Sequence, residues 1–157
     1  MKRLHPPKSL VKKGSPEDRH RLRVPQYVGS PGTLYLTHDQ DGQPLLIFVD
    51  KQDALTVVHA IFDERLFSDT VFRAVRIHPS RYIVYDLVVL NGVDFHSSHT
   101  YAERSQRIAD LLEAFHSPDL VALETVDQAP GWNLPLRGYE CYDDVPGSLG
   151  VFLPVKE

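Results

Sequence analysis

The chain has 157 residues, 42% of them hydrophobic and 24% charged, with a net charge of −4; that length suits one domain with a real core and is short for two. No apolar run approaches the ~20 residues of a bilayer span, and the basic, proline-rich beginning lacks the apolar stretch of a secretion signal, so a soluble intracellular protein without membrane contact is expected. Cys141 alone cannot form an internal disulfide, and no Cys/His array has zinc-finger spacing, which argues against a structural metal.

Charge is unevenly placed along the chain. Residues 1–24 hold eight Lys/Arg, among them Lys12, Lys13, Arg19, Arg21 and Arg23, against Glu17 and Asp18, a balance of +6; the remainder holds nine against nineteen, a balance of −10. With Pro6, Pro7, Gly14 and Pro16 breaking any helix, residues 1–24 read as a basic, flexible arm before a single domain at 25–157. Such an arm can contact RNA phosphates or an acidic protein partner, or simply keep the chain in solution.

Beyond the arm, Thr33 to Leu36 and Pro44 to Val49 are apolar runs separated by Asp39-Gln-Asp-Gly42, which predicts a hairpin. Leu55 to Phe62 is open between a short helix capped by Asp53 and a strand favoured by Val57, Val58 and Ile61. Val71 to Ile77 and Tyr82 to Leu90 predict a second hairpin across His78-Pro-Ser80. The stretch Tyr82 to Val89 is apolar on both faces, as a strand buried along most of its length requires. Asp86 interrupts it, and a carboxylate there needs donors or a cation. Asn91-Gly92 suits a tight turn. Thr100 and Glu103 have capping-box spacing, and Ile108, Leu111, Leu112 and Phe115 fall on one helical face. Leu120 to Val126 predicts a strand, Ala129 to Gly138 a Pro/Gly-rich loop containing Trp132, Asp143-Asp144 a turn, and Val151 to Val155 a final strand. The expected class is α+β, mostly antiparallel sheet with one long helix.

The order of hairpin, Leu66-Phe-Ser-Asp-Thr-Val-Phe72, Arg81-Tyr-Ile-Val-Tyr-Asp-Leu-Val-Val-Leu-Asn-Gly92 and arginine-bearing helix resembles the nucleotidyltransferase domain of mRNA capping enzymes and polynucleotide ligases. It is similar also to the non-catalytic cap-binding domains of the snurportin type. The resemblance spans residues 27 to 155 and is strongest over 66 to 115, which implies a truncated nucleotidyltransferase-like domain.

In those enzymes a lysine in a Lys-x-Asp-Gly motif attacks the α-phosphate. Aligning that glycine on Gly32 puts Gly29 at the lysine position and Pro31 at the aspartate. Lys51, Lys12 and Lys13 are the nearest lysines, and none has the motif context. The Asp-Gly-Glu motif falls on Asp69-Thr70-Val71, keeping one acid and losing the other. The strand motif is kept, with Tyr85 at a base-stacking position followed by Asp86. The fourth motif falls on Leu149-Gly150-Val151-Phe152 without its acid, and the phosphate-neutralising Lys-x-Lys has no match in Pro154-Val-Lys-Glu157. Phosphoryl transfer depends on such cations and acids, so the resemblance implies a domain with no catalytic residue, metal or cofactor.

What it implies instead is a nucleotide- or RNA-cap-binding module, with Tyr85 and Tyr82 stacking on a base, Asp86 and Asp69 beside it, and Lys12, Lys13, Arg19, Arg21, Arg23 and Arg104 meeting phosphates. Trp132 is either a second stacking platform or a loop residue folded over the core. Arg104 and Arg107 can meet on one helix flank and reach an anion. His96 and His99 read as surface loop histidines, since no acid or cysteine completes a metal site with them. No Walker-type loop or nucleophile elbow occurs. Two other readings stay open: a scaffold or regulatory subunit whose pocket is vestigial and whose surface binds a protein of RNA processing, transcription or transport, and an active enzyme with its lysine motif elsewhere.

Overall fold

The computed structural model describes residues 11–13, 22–127 and 134–155. Trp132, Arg19 and Arg21 lie outside them, as do the side chains of Lys12 and Lys13. Two sheets make up most of the described chain, and one helix covers the larger.

The larger sheet grows from the two predicted hairpins. β3 (Ser30–His38) returns as β4 (Pro44–Asp50) through a turn in which Gly42 takes φ 78°, and the Asp39 carboxylate accepts the Asp41 and Gln43 amides. β7 (Thr70–His78) returns as β8 (Arg81–Leu90), and Asn91 (φ 47°) with Gly92 (φ 82°) then turns the chain into β9 (Val93–Asp94). Leu55 to Phe62 resolves as two short strands, β5 (Leu55–Val57) on β4 and β6 (Ile61–Phe62). Asp63, not Asp53, caps the nearby single 3-10 turn Glu64–Leu66. With β11 (Ala122–Thr125) added parallel to β8, the order is β11-β8-β7-β3-β4-β5, and β9 lies beside β8.

The helix α1 (Tyr101–Phe115) begins where the sequence places it. The Thr100 hydroxyl accepts the Glu103 amide while the Glu103 carboxylate accepts the Thr100 amide. Its Ile108, Leu111 and Leu112 pack on Leu34, Leu36, Phe48, Phe72 and Ala74 of one sheet face, each contributing roughly 1.5–3 kcal/mol by burial. Beyond α1, β10 (His116–Ser117) pairs with β6.

Of the smaller sheet the sequence announced only the final strand, expected over Val151 to Val155 and found over Gly150–Pro154. The sheet has the order β1-β13-β12-β2, from β1 (Val11–Lys13), β13 (Gly150–Pro154), β12 (Leu136–Tyr142) and β2 (Leu22–Tyr27). Val24, Tyr27 and Tyr142 from it pack on Val75, Ile83 and Tyr85, together with Tyr101 from the first turn of α1. Two pieces of the cationic stretch are therefore strands and not a flexible arm: Val11–Lys13 pairs with β13, and Leu22–Val24 begins β2, where Val24 is buried. The loop expected to run to Gly138 gives way to β12 at Leu136. Short strands with a glycine and mixed polarity carry too weak a period-two signal to stand out.

Candidate functional site

The residues singled out on β8 meet at a break in its pairing. Arg73 of β7 faces Asp86, but Ala74 faces Val84, so Tyr85 and Asp86 together oppose one residue. Such a bulge interrupts the up-down alternation of side chains. Consecutive Tyr85 and Asp86 accordingly both reach Arg73. Its Nη2 donates to the Tyr85 hydroxyl at 3.3 Å, and its Nη1 lies 3.8 Å from Asp86 Oδ2.

Asp86 is fully buried, and its partner is the fully buried Arg104 of α1. Arg104 Nε donates to Asp86 Oδ1 at 2.7 Å and Nη2 to Oδ2 at 3.3 Å, while Nη1 donates to the His99 carbonyl at 2.9 Å. Arg73 in turn forms a two-pronged pair with buried Glu140 of β12, at 3.0 and 2.8 Å, and its Nη1 donates to the Tyr142 hydroxyl at 3.3 Å. The Tyr142 hydroxyl donates to Glu140 Oε1 at 2.7 Å. Tyr101 stacks on Tyr142 with ring centroids 4.4 Å apart, and its hydroxyl donates to the Tyr85 carbonyl.

Two guanidinium groups and two carboxylates thus stand together inside the protein, and their charges cancel. Burial pushes the Tyr85 hydroxyl up to about 12 and holds Tyr101 and Tyr142 well above the usual tyrosine value. Burial works against the Arg73 charge, yet Tyr85, Glu140 and Tyr142 around it keep it firmly protonated. These three tyrosines therefore stay neutral near pH 7, Tyr101 and Tyr142 donating and Tyr85 accepting from Arg73, which suits them to holding the network together.

The described members of the expected site do not line one open surface. Tyr85 is 4% exposed, and the Arg73 guanidinium covers its ring at 4.8 Å from the centroid, where a base would have to stack. Tyr82 does not share that surface. It packs among the α1-side residues, edge-on to Phe48 with centroids 5.1 Å apart. Asp69 sits just before β7 with φ 66°, accepting the Thr37 hydroxyl at 2.7 Å; Arg73 is four positions, roughly 13 Å, further along the strand. Arg104 is fully buried and donates to Asp86. Arg23 is exposed, its guanidinium 4.6 Å from the Tyr139 ring centroid. His96 is buried rather than a surface histidine, its Nε2 without a hydrogen-bond partner among the described residues, and His99 stacks on Phe95 at 3.6 Å.

The position aligned with the nucleophilic lysine is closed by backbone. A Cβ at Gly29 would stand 2.6 Å from the Arg76 carbonyl oxygen and 2.9 Å from Val75 Cγ2, and one at Gly32 would stand 2.3 Å from the Val49 carbonyl oxygen. Lys51 lies exposed in the turn after β4. Among the described residues no group of three His, Cys, Asp or Glu could hold a metal ion. Nor is any helix there long and apolar enough to cross a membrane. An open groove of about 710 Å³ runs between the second half of α1 and β11, lined in part by Ala109, Leu112, Glu113, Leu123 and Thr125, away from the Tyr85 cluster.

Arg73, Glu140, Tyr101 and Tyr142 were missed from the sequence. Arg73 carried a usable signal, because a charge inside Val71-Phe-Arg-Ala-Val75 needs a partner as surely as Asp86 does. Glu140 sits in a strand that the sequence did not announce.

Fold and site together define an α+β protein whose described residues form two large, mostly antiparallel sheets, a two-stranded pair and one α-helix, locked by a buried, charge-balanced cluster. The chain matches no protein-family model, and no curated protein matches it.

Proposed function

We propose that the chain is a non-catalytic binding module on a nucleotidyltransferase-type scaffold, whose cleft is filled by its own side chains and whose outer surface engages a protein of RNA processing, transcription or transport. One observation carries this reading: the Arg73–Glu140 pair lies over Tyr85, where a nucleobase would stack. Admitting a base means parting that pair. Breaking a buried ion pair costs about 3–5 kcal/mol, whereas stacking a base on one aromatic returns about 1–3 kcal/mol. The closed filling is the lower state. The closed backbone at Gly29 supports the absence of covalent nucleotidyl transfer, because a lysine there would require β3 to move off β7. Exposed Arg23 and the cationic residues around it supply contacts to RNA or to an acidic partner protein.

The test is a titration of the full chain with ATP, GTP and a methylated cap analogue to about 1 mM, a level that still detects affinities near −4 kcal/mol. The amide signals of Tyr85, Asp86 and Glu140 should show no saturable shift. Labelled ATP or GTP with a divalent metal should leave no acid-labile label on lysine. Saturable shifts at Tyr85 would restore the cap-binding reading and end this one.

A further inference from the structure

Among the described residues the larger sheet ends at β5, which pairs with β4 on one side only. Antiparallel pairing alternates residues that exchange hydrogen bonds with residues that do not. The Asp50 amide donates to the Ala54 carbonyl and the Val58 amide to the Leu46 carbonyl, so Thr56 is the bonded partner of Phe48 between them. The backbone N–H and C=O groups of Leu55 and Val57 therefore point away from β4, toward the free edge. Their side chains are exposed as well, at 62% and 52%. They stand opposite Val49 and Ile47 on the sheet face that carries Tyr35 and Val71. An edge that offers both unpaired backbone and apolar side chains is usually blunted by charge, a bulge or a covering loop. Leu55-Thr-Val57 is short, which itself limits such pairing, but among the described residues it carries none of these.

We propose that β5 is a homodimer interface, joining two copies antiparallel across a two-fold axis through Thr56. In that register Leu55 of one copy faces Val57 of the other. Both are residues whose backbone groups point outward, so the pairing closes four hydrogen bonds and continues the sheet from one copy into the next. The same register matches Asp53 to His59, two exposed groups of complementary character, at each end of the junction. Leu55 and Val57 of both copies then form one apolar patch. A two-fold contact must match itself in this way, and shifts that set Leu55 on Leu55 or Val57 on Val57 lose either the four bonds or the Asp53–His59 match. This proposal is independent of the function proposed above and can fail without it.

Sedimentation of the full chain should show a concentration-dependent dimer. Val57→Pro removes an outward N–H that no bond among the described residues uses, and it should raise the dimer dissociation constant at least tenfold while leaving the unfolding midpoint unchanged at dilutions where both chains are monomeric. His59→Glu, which sets Glu against Asp53, should weaken the dimer too and serves if the proline variant does not fold. Thr56→Cys places its two sulfurs at a non-bonded pair on the axis, where Cα atoms lie about 4.5 Å apart, within disulfide reach. It should cross-link on oxidation, while Leu55→Cys should not. A chain monomeric to about 1 mM, a dimer indifferent to both Val57→Pro and His59→Glu, or the reverse cross-linking pattern would overturn the proposal. The last result would assign the edge to another register, and monomeric behaviour would leave it to a strand of a different protein.

Discussion

Asp86 is where the sequence argument meets the structure most directly. A carboxylate in an apolar strand must find a cation, and it finds Arg104 at 2.7 Å, with both side chains fully buried. Removing one member leaves the other charge stranded in a low-dielectric site. Arg104→Met should therefore lower stability by about 3–5 kcal/mol, while Asp86→Asn combined with Arg104→Met should recover a measurable part of the loss. Urea unfolding of the two single variants and the double reads this cycle. Strictly additive losses would mean that the pair is not coupled. That Asp86 needed a partner was legible in the sequence. That the partner was Arg104 was nearly so, since residues 104, 108 and 111 share a helical face and the capping box at Thr100 fixes the phase of α1.

At the scale of elements, the well-signalled parts were the two hairpins and the helix, each with its own local chemistry. Thr100 begins α1, and the same loop supplies the His99 carbonyl that Arg104 holds. Thr100→Ala should cost about 1 kcal/mol by orphaning the Glu103 amide. The denaturation midpoint should fall with an unchanged m-value, and a midpoint equal to the parent would show that the cap adds nothing in this fold. In the smaller sheet only the final strand was signalled, and its partners were not. β1 pairs with β13 across nearly the whole described chain, and β12 pairs with β2 over more than a hundred residues. No turn chemistry announces partners that far apart, and strands of three to seven residues hold too few alternations to be read alone.

Over the whole molecule, the contact between sheets and helix rests on polar groups packed as tightly as the apolar ones, which makes the fold sensitive to pH. Burial, followed by the Arg104 charge, holds the His96 pKa below the usual histidine value, and burial lowers His116 despite its contact with the Ile61 carbonyl. As pH falls through about 6.5 the unfolded chain takes up these protons before the folded one does. Stability is then full above that pH and declines below it, until the lowered folded-state values are passed. His96→Leu should flatten the decline of unfolding free energy between pH 7 and 5 by a fraction of a proton. An unchanged slope would show that His96 does not titrate differently on unfolding.

What the sequence determined by itself was local: the turn at Asn91-Gly92, the start of α1, the two hairpins, and the demand of a buried aspartate for a cation. What only the tertiary structure decided was whether Tyr85 faces a ligand or the protein's own side chains. That outcome depends on a bulge that turns Tyr85 and Asp86 to the same side, and on Glu140 arriving from a strand more than fifty residues away. Short-range chemistry writes turns and caps into neighbouring residues, whereas the contents of a space between two sheets are set by packing among residues that the chain itself does not place side by side.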